Sequence, residues 1–158
     1  MSRAPQDTVA LVTGATDGLG RGVAERLAGM GATVHIHGRS AEKLAAAARE
    51  IIAATGNEKI HTHRADFASL AEVRALADEI AALPALHLLI NNAGIGSGLP
   101  DSPDREESAD GLELRFAVNY LASFVLTTRL LPLLERSAPA RYQVQDAWRW
   151  IARLHRAG

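Results

Sequence analysis

The chain contains no cysteine, only two lysines and few aromatic residues. Of its 158 residues, 47% are hydrophobic and 4% are aromatic, and the formal net charge at pH 7 is −1. The absence of cysteine excludes disulfide bonds and thiol catalysis. The near-neutral charge gives no support to a nucleic acid or an anionic membrane surface as a partner. Any mechanism that requires a lysine has only Lys43 and Lys59 as candidates.

Long hydrophobic runs are also missing. No apolar run approaches the roughly 20 residues that span a bilayer. The N-terminal segment MSRAPQD has no hydrophobic signal core. We therefore expect a cytoplasmic protein without a membrane partner, and the length suits one domain with a sizeable core.

Short apolar segments alternate with helix-like segments along the chain. Strands are expected at 8–13, 33–38, 60–66 and 86–91, and helices at 18–32, 40–55, 69–83 and 110–135, the last as one helix or a pair. Ser40 is expected to cap the second helix, and Gly56 to end it. Strands that alternate with helices indicate an α/β fold, with a parallel sheet covered by helices on both faces.

A glycine-rich turn joins the first predicted strand to the first predicted helix. Gly14, Gly18 and Gly20 follow the spacing G-x-x-x-G-x-G. Glycine permits a tight turn and a close approach of the backbone to a pyrophosphate, and the helix N-terminus offers free N–H groups. An ordinary strand-to-helix turn would also explain the glycines. Their place after the first strand of an alternating chain favours nucleotide binding.

Two residues further on bear on which nucleotide is bound. The second strand ends in Gly38 and Arg39, where an acidic residue usually holds a free 2′-hydroxyl. An arginine can bind a 2′-phosphate instead, which favours NADP over NAD, although a solvated arginine would look the same. Asp66 ends the third strand and could accept from an adenine amino group, or it could be a simple turn residue.

Five motifs occur in an order that resembles a known family. They are TGATDGLG at 13–20, GRS at 38–40, ADF at 65–67, INNAG at 90–94 and VNYLASFVLT at 118–127. Together they are similar to the short-chain dehydrogenase/reductase family, of the NADP-using kind, over residues 8–140. The resemblance implies a three-layer Rossmann-type fold and an oxidoreductase that exchanges hydride between a nicotinamide and an alcohol or carbonyl carbon.

The resemblance also implies a set of site residues. Leu19 would lend a backbone N–H to the pyrophosphate, Asp66 and Phe67 would frame the adenine, and Asn91 would brace the sheet. Asn119 matches the family's catalytic asparagine, although a polar residue capping a helix kink would fit as well. The implied cofactor-binding residues are Thr13, Gly14, Gly18, Leu19, Gly20, Arg39, Asp66, Phe67, Asn92, Ala93 and Gly94.

The remaining catalytic residues of the family are absent. The family needs a serine after its fifth strand and then a Tyr-x-x-x-Lys, in which the lysine lowers the pKa of the tyrosine. Phe124 lies four residues after Tyr120, and Asp146 four residues after Tyr142. The histidines at 35, 37, 61 and 63 are not expected to act as substitute bases or metal ligands, because their strands are remote from the nicotinamide and lack a carboxylate pattern. No metal site is predicted.

The last residues depart from the family pattern. The sequence predicts a nucleotide-binding domain at 1–140, with sheet order 3-2-1-4 truncated after about four strands, and a divergent tail at 141–158. The tail does not resemble a strand. Val144, Trp148 and Ile151 share one face of a possible short helix. Alternatively, the tail is translated out of frame, since shifted codons for 142–147 can spell Ser-Ser-Ala-Gly. A bare fourth strand would favour marginal stability or self-association.

Three functions stay open at this point. The first is an NADP-dependent oxidoreductase of the family's type. The second is a catalytically incompetent NADP-binding fragment, since the serine and the Tyr-x-x-x-Lys are missing. The third is an oligomerising interaction module that uses the 112–135 helix together with Trp148 and Trp150 as a partner surface. The sequence does not name a substrate.

Overall fold

A computed structural model describes residues 4–96 and 106–144 of the chain. After a 3-10 turn at Pro5–Asp7, strands and helices alternate as predicted. The strands are β1 (Val9–Val12), β2 (Thr33–Gly38), β3 (Ile60–Arg64), β4 (Leu88–Asn91) and β5 (Arg141–Val144). The helices are α1 (Gly18–Gly29), α2 (Ala41–Thr55), α3 (Leu70–Ala81) and α4 (Leu114–Arg136), the last of which contains a π-helical stretch at Ala117–Leu121.

The five strands form one parallel sheet in the order β3-β2-β1-β4-β5. Val12, near the end of β1, lies in register with Ile36 of β2 on one side and with Ile90 of β4 on the other. The predicted order 3-2-1-4 is therefore confirmed. Because all strands are parallel, their carboxyl ends meet at one edge of the sheet, where ligands bind in folds of this kind.

The prediction that the tail forms no strand is wrong for its first four residues. Arg141–Val144 pairs in parallel with β4, and the Arg141 N–H donates to the carbonyl of His87 at 2.9 Å. An unpaired β4 would leave a row of backbone groups open, and β5 satisfies them. Arg141, Tyr142 and Gln143 are exposed, which explains why no hydrophobic alternation marked the strand. The predicted helical face at Trp148 and Ile151 lies outside the described residues.

Helices cover both faces of the sheet, which makes the predicted three layers. On one face, α1 and α2 pack on β2 through a core that includes Ala24, Leu44 and Ile51. On the other face, α3 and α4 pack on β1 and β4 through a larger core that includes Leu76 and Leu126. These cores fix the strands whose ends carry the site.

Both predicted ends of α2 are confirmed, and α3 has a serine cap that was not predicted. The Ser40 hydroxyl accepts from the Lys43 N–H at the start of α2, and Gly56 ends that helix in the left-handed region with φ of 69°. Ser69 caps α3 in the same way by accepting from the Glu72 N–H. Asp17 occupies the equivalent position before α1, but its side chain makes no capping hydrogen bond.

Helix α4 is somewhat shorter than the predicted segment 110–135, but it is more apolar than the expected lack of long hydrophobic runs implied. Its 23 residues are enough, by length and hydropathy alone, to cross a membrane. The central helix of a water-soluble core passes the same test. In this chain 44% of the most apolar window is buried within the protein, and Leu126, Leu130 and Leu133 belong to the core shared with α3.

Candidate functional site

The carboxyl ends of β1 to β4 open into one cleft of about 520 Å³. The turn after β1, residues 14–20, lies at its centre. One end, here called the β2–β3 end, is formed from the segments 37–43 and 65–68. The other, here called the β4 end, is formed by residues 92–95 together with Leu114 and Val118 of α4.

Most of the predicted cofactor-binding residues meet in this cleft. Thr13 lies directly beneath it, and Asn119 lies behind the β4 end, so neither lines the cleft itself. The predicted residues that line it are Gly14, Gly18, Leu19, Gly20, Arg39, Asp66, Phe67, Asn92, Ala93 and Gly94.

Thr13 joins the ends of β1 and β4. Its side chain is completely buried, and its hydroxyl oxygen accepts from the backbone N–H groups of Asn92 and Ala93, both at 3.0 Å. The Asn92 side-chain amide donates in return to the carbonyls of Thr13 and Gly14, at 3.0 and 2.9 Å. These bonds hold the β4 end against the glycine-rich turn.

Two of the glycines are required by close packing as well as by the turn. Gly14 has φ of +63°, and a Cβ atom there would lie 2.7 Å from the Cα atom of Ala93. A Cβ atom at Gly20 would lie 2.3 Å from both the Gly14 carbonyl oxygen and the Asn92 amide nitrogen. The turn therefore fits directly against the β4 end, which no larger residue would permit.

The N-terminus of α1 faces the cleft without a side-chain cap. The first-turn N–H groups of an α-helix have no partners within the helix and carry a partial positive charge. At α2 and α3 a serine hydroxyl meets one of these groups, whereas Asp17 leaves those of α1 without such a partner. Gly18, Leu19 and Gly20 of this turn line the cleft. This arrangement suits a phosphate or pyrophosphate group.

Two cations stand at the β2–β3 end. Arg39 and Lys43 are both exposed and both line the cleft. Across the part of the chain that the structure describes, neither guanidinium nor ammonium group forms an ion pair. Lys43 was not predicted to be a site residue, but it lines the cleft together with Arg39. The signal that could have found it is its position three residues after the Ser40 cap.

Asp66 and Phe67 line the same end in more constrained surroundings. One carboxylate oxygen of Asp66 accepts from the Ala68 N–H at 2.9 Å, which is the turn role considered for it from the sequence. Phe67 is 4% exposed and belongs to the core. The roles of both residues toward an adenine stay predictions.

The Asn119 side chain binds the backbone of Ile95 at the β4 end. Its side-chain oxygen accepts from the Ile95 N–H at 2.8 Å, and its side-chain nitrogen donates to the Ile95 carbonyl at 2.9 Å. Asn119 lies in the π-helical stretch of α4, a feature often found at functional sites. The geometry gives Asn119 a positioning contact, and its catalytic role stays a prediction.

His37 was not expected at the site but lines the cleft. It is 3% exposed, and its ring bonds to the backbone of the turn after β1 and of the segment after β3. Burial is the main cause that lowers the pKa of His37 to about 4. Its position two residues before Arg39, near the end of β2, could have indicated that it lies at the cleft.

The other strand histidines form a separate cluster. His35 Nδ1 lies 2.7 Å from His63 Nε2, and His63 Nδ1 lies 2.9 Å from a carboxylate oxygen of Glu79. The expectation that no carboxylate accompanies these histidines is therefore wrong. Even so, no group of three metal-ligating side chains within residues 4–96 and 106–144 is arranged to hold a metal ion.

Comparison with curated proteins finds dehydrogenases. Retinol dehydrogenase 11 of Mus musculus is 45% identical over 149 residues, which cover 93% of this chain and 46% of the relative. Polyprenol dehydrogenase of Mus musculus is 42% identical over 130 residues, which cover 82% of this chain and 37% of the relative. The chain thus spans about half the length, or less, of these relatives.

Solved structures of related proteins also match this chain. The RhlG/NADP complex of Pseudomonas aeruginosa matches with a TM-score of 0.73 and 32% identity, covering 90% of this chain and 57% of that one. A putative short chain dehydrogenase of Escherichia coli CFT073 complexed with NADPH matches with a TM-score of 0.73 and 36% identity, covering 87% and 57%. The family model for short chain dehydrogenases matches residues 8–141. The chain therefore belongs to the short-chain dehydrogenase family.

Proposed function

We propose that this chain is the dinucleotide-binding part of an NADP-dependent oxidoreductase, which exchanges hydride between NADP(H) and an alcohol or carbonyl carbon. The observation that carries the proposal is the uncapped N-terminus of α1, set in a glycine-rich turn and facing a cleft that also contains two cations with no ion-pair partner among residues 4–96 and 106–144. The structures of related proteins in complex with NADP or NADPH support it. The curated relatives are named for alcohols, retinol and polyprenol, which supports the substrate class.

The preference for NADP over NAD rests on the β2–β3 end. A 2′-phosphate there would meet the guanidinium of Arg39, the ammonium of Lys43 and the N-terminus of α2. Charge-assisted hydrogen bonds of this kind are about twice as strong as neutral ones. NADH lacks the 2′-phosphate, so it would gain nothing from either cation.

A fluorescence titration of the purified chain with NADPH and NADH tests this proposal. We expect saturable binding that favours NADPH. Arg39→Ala should weaken NADPH binding by roughly 10- to 100-fold, the value of one charge-assisted bond, and leave NADH binding unchanged. Arg49→Ala removes an exposed cation from α2 outside the cleft lining and should change neither. Equal affinity for both nucleotides would contradict the NADP preference, and no binding of either would contradict the whole proposal.

We further propose that this chain binds the nucleotide without catalysing turnover. The bound nicotinamide would supply the hydride, but a proton donor must also reach the substrate oxygen. The sequence holds no Tyr-x-x-x-Lys, the arrangement that the family uses to supply that proton near neutral pH. NADPH oxidation in the presence of all-trans-retinal should not exceed that of a heat-denatured sample. Steady turnover would overturn this proposal and would require a proton donor from another residue.

A second proposed role is self-association through α4. Phe116, Tyr120 and Phe124 are 48%, 60% and 56% exposed and form a continuous row of stacked rings, with centroids 5.6 and 6.4 Å apart. Large exposed apolar patches mark interaction surfaces. Sedimentation velocity should show a dimer that Tyr120→Ser and Phe124→Ser weaken. A monomer at all concentrations would exclude this role.

A further inference from the structure

The His37 ring bonds to two segments that line the cleft, the glycine-rich turn after β1 and the segment after β3. The Gly14 N–H, in the turn after β1, donates to His37 Nδ1 at 3.2 Å. The other ring nitrogen, Nε2, lies 3.0 Å from the carbonyl oxygen of Ala65, at the end of β3. One buried imidazole therefore bonds to the backbone on both sides of the β1–β2–β3 edge.

The two partners fix the tautomer of His37. A backbone N–H can only donate, so Nδ1 must carry a lone pair. A carbonyl oxygen can only accept, so Nε2 must carry the proton. The ring is therefore neutral, with hydrogen on Nε2. A second proton on Nδ1 would remove the acceptor of the Gly14 N–H.

Two further contacts restrict the ring and the turn. The His37 ring stacks on the ring of Phe67 with a centroid distance of 4.2 Å. The His37 carbonyl accepts from the Ala15 N–H at 2.9 Å, so the turn is bound by the side chain and the backbone of the same residue. His37 thus has little freedom to move independently of the glycine-rich turn.

We propose that His37 is a positioning residue of the nucleotide site, which holds the Gly14 backbone in the conformation that receives the pyrophosphate. This inference rests on the proposed function, because it needs a dinucleotide in the cleft. His37 would act through the turn rather than by touching the phosphates. Preorganised sites bind more tightly because less order must be imposed on binding.

His35 offers a matched control on the same strand and the same face. It is also buried, at 5% exposure, but its ring bonds to His63 and does not line the cleft. Replacing either histidine by phenylalanine removes a buried imidazole while keeping an aromatic ring. Only the change at His37 removes a bond to the turn.

The test compares NADPH with 2′-AMP, a fragment that carries the 2′-phosphate but no pyrophosphate. His37→Phe should weaken NADPH binding roughly tenfold, the equivalent of one neutral hydrogen bond, and leave 2′-AMP binding unchanged. His35→Phe should change neither. His37→Asn places an amide oxygen near the position of Nδ1, so it should recover part of the NADPH affinity and serves if His37→Phe does not fold.

Nuclear magnetic resonance supplies a readout that general destabilisation would not mimic. In the wild type, the His37 ring should show the Nε2–H tautomer, and the Gly14 amide proton should be protected from exchange with solvent. In His37→Phe the Gly14 protection should be lost while that of the core strands is kept. In His37→Asn it should return.

The outcomes separate the inference from the proposed function. Wild-type binding of NADPH with equal binding by His37→Phe would overturn the inference alone. Equal losses for NADPH and 2′-AMP, or a matching loss in His35→Phe, would also overturn it, because the effect would not pass through the turn. Failure of the wild type to bind NADPH would overturn the proposed function and the inference with it.

Discussion

The two ends of the cleft are held in place in different ways. At the β2–β3 end, the contacts pass through the buried ring of His37, between strands whose order and register are fixed by the sheet. At the β4 end, Ile95 is held by the side-chain amide of Asn119, which is exposed to solvent. Thr13 and Asn92 join the β4 end to the central turn.

The two ends also differ in the features that suit nucleotide binding. The features that suit a dinucleotide, namely the glycine-rich turn, the free helix N-terminus and the two cations, all lie between β1 and α2. The β4 end depends on the buried Thr13 hydroxyl and on the exposed Asn119 side chain of α4. In the function proposed above, the first set binds the nucleotide, whereas turnover also needs the proton donor that the family's tyrosine and lysine would supply.

The largest effect is expected from acid, which acts on the two buried histidines of β2, His35 and His37, the second of which lies at the β2–β3 end. Burial, followed by the charges of His63 and His61, lowers the pKa of His35 to about 4. Burial also lowers the pKa of His37 to about 4; the neighbouring His63 lowers it further, whereas the Ala65 carbonyl and Asp66 oppose the shift. In the unfolded chain both imidazoles would titrate near 6.5.

The sign of the pH effect follows from these values. Between pH 6.5 and about 4 the unfolded state binds more protons than the folded state. The contribution of these two histidines to the free energy of unfolding is therefore fully present above pH 6.5 and decreases as the pH falls. Urea unfolding from pH 7 to pH 4.5 should show this loss. His35→Phe and His37→Phe should each flatten the slope relative to the wild type. Equal slopes in all three proteins would contradict the assignment.

The next largest effect is expected where the turn meets the β4 end. Gly20→Ala would place a Cβ atom 2.3 Å from the Gly14 carbonyl oxygen, and a backbone atom cannot move away easily. We expect a loss of about 3 kcal/mol in the free energy of unfolding, as for an overpacked core, together with loss of NADPH binding.

Gly22 provides the matched control for this change. It lies in the same helix, and a Cβ atom there meets nothing within 4 Å. Gly22→Ala should therefore stabilise the chain by about 0.5–1 kcal/mol through the higher helix propensity of alanine. Urea titrations of both variants decide the point, and equal effects at the two glycines would contradict the packing argument.

Local patterns were sufficient to predict the fold up to β4. The alternation of strands and helices predicted the layers, and Ser40 and Gly56 marked the ends of α2, which need only neighbours in sequence. The short strand β5 escaped detection because its described side chains are exposed. It pairs with β4, whose backbone groups would otherwise lack partners on that side. This need arises from the sheet and leaves no pattern in the sequence of residues 141–144.

Site residues that belong to a sequence motif were predicted. Site residues that only the fold brings to the cleft were missed. The glycines and the Asn92–Gly94 segment are recognisable by their spacing. His37 and Lys43 have no motif, and they belong to the cleft because β2 ends beside the turn and α2 starts there. The sequence also gave no sign that His63 meets Glu79, since the two residues lie 16 positions apart on different elements.

A smaller effect is expected from Thr13→Val, which would loosen the junction without changing its shape. Valine keeps the volume but removes the oxygen that accepts from the N–H groups of Asn92 and Ala93. We expect a loss of about 1–3 kcal/mol, the usual result of leaving buried donors without a partner. Thr13→Ser keeps the hydroxyl and should cost only about 0.8 kcal/mol for the lost methyl group. If both variants unfold at the same urea concentration, the hydroxyl does not hold the junction.

The smallest effect is expected at the β4 end, from Asn119→Asp. A carboxylate can still accept from the Ile95 N–H, but it cannot donate to the Ile95 carbonyl as the amide does. Because Asn119 is exposed, water can replace the lost donor, and we expect a loss of about 0.5–1 kcal/mol in the free energy of unfolding. Hydrogen exchange of the Ile95 amide should change little, and NADPH affinity should fall less than in His37→Phe. A larger loss of affinity in Asn119→Asp than in His37→Phe would reverse the comparison and show that the surface contact at the β4 end, rather than the buried imidazole, governs the binding of the nucleotide.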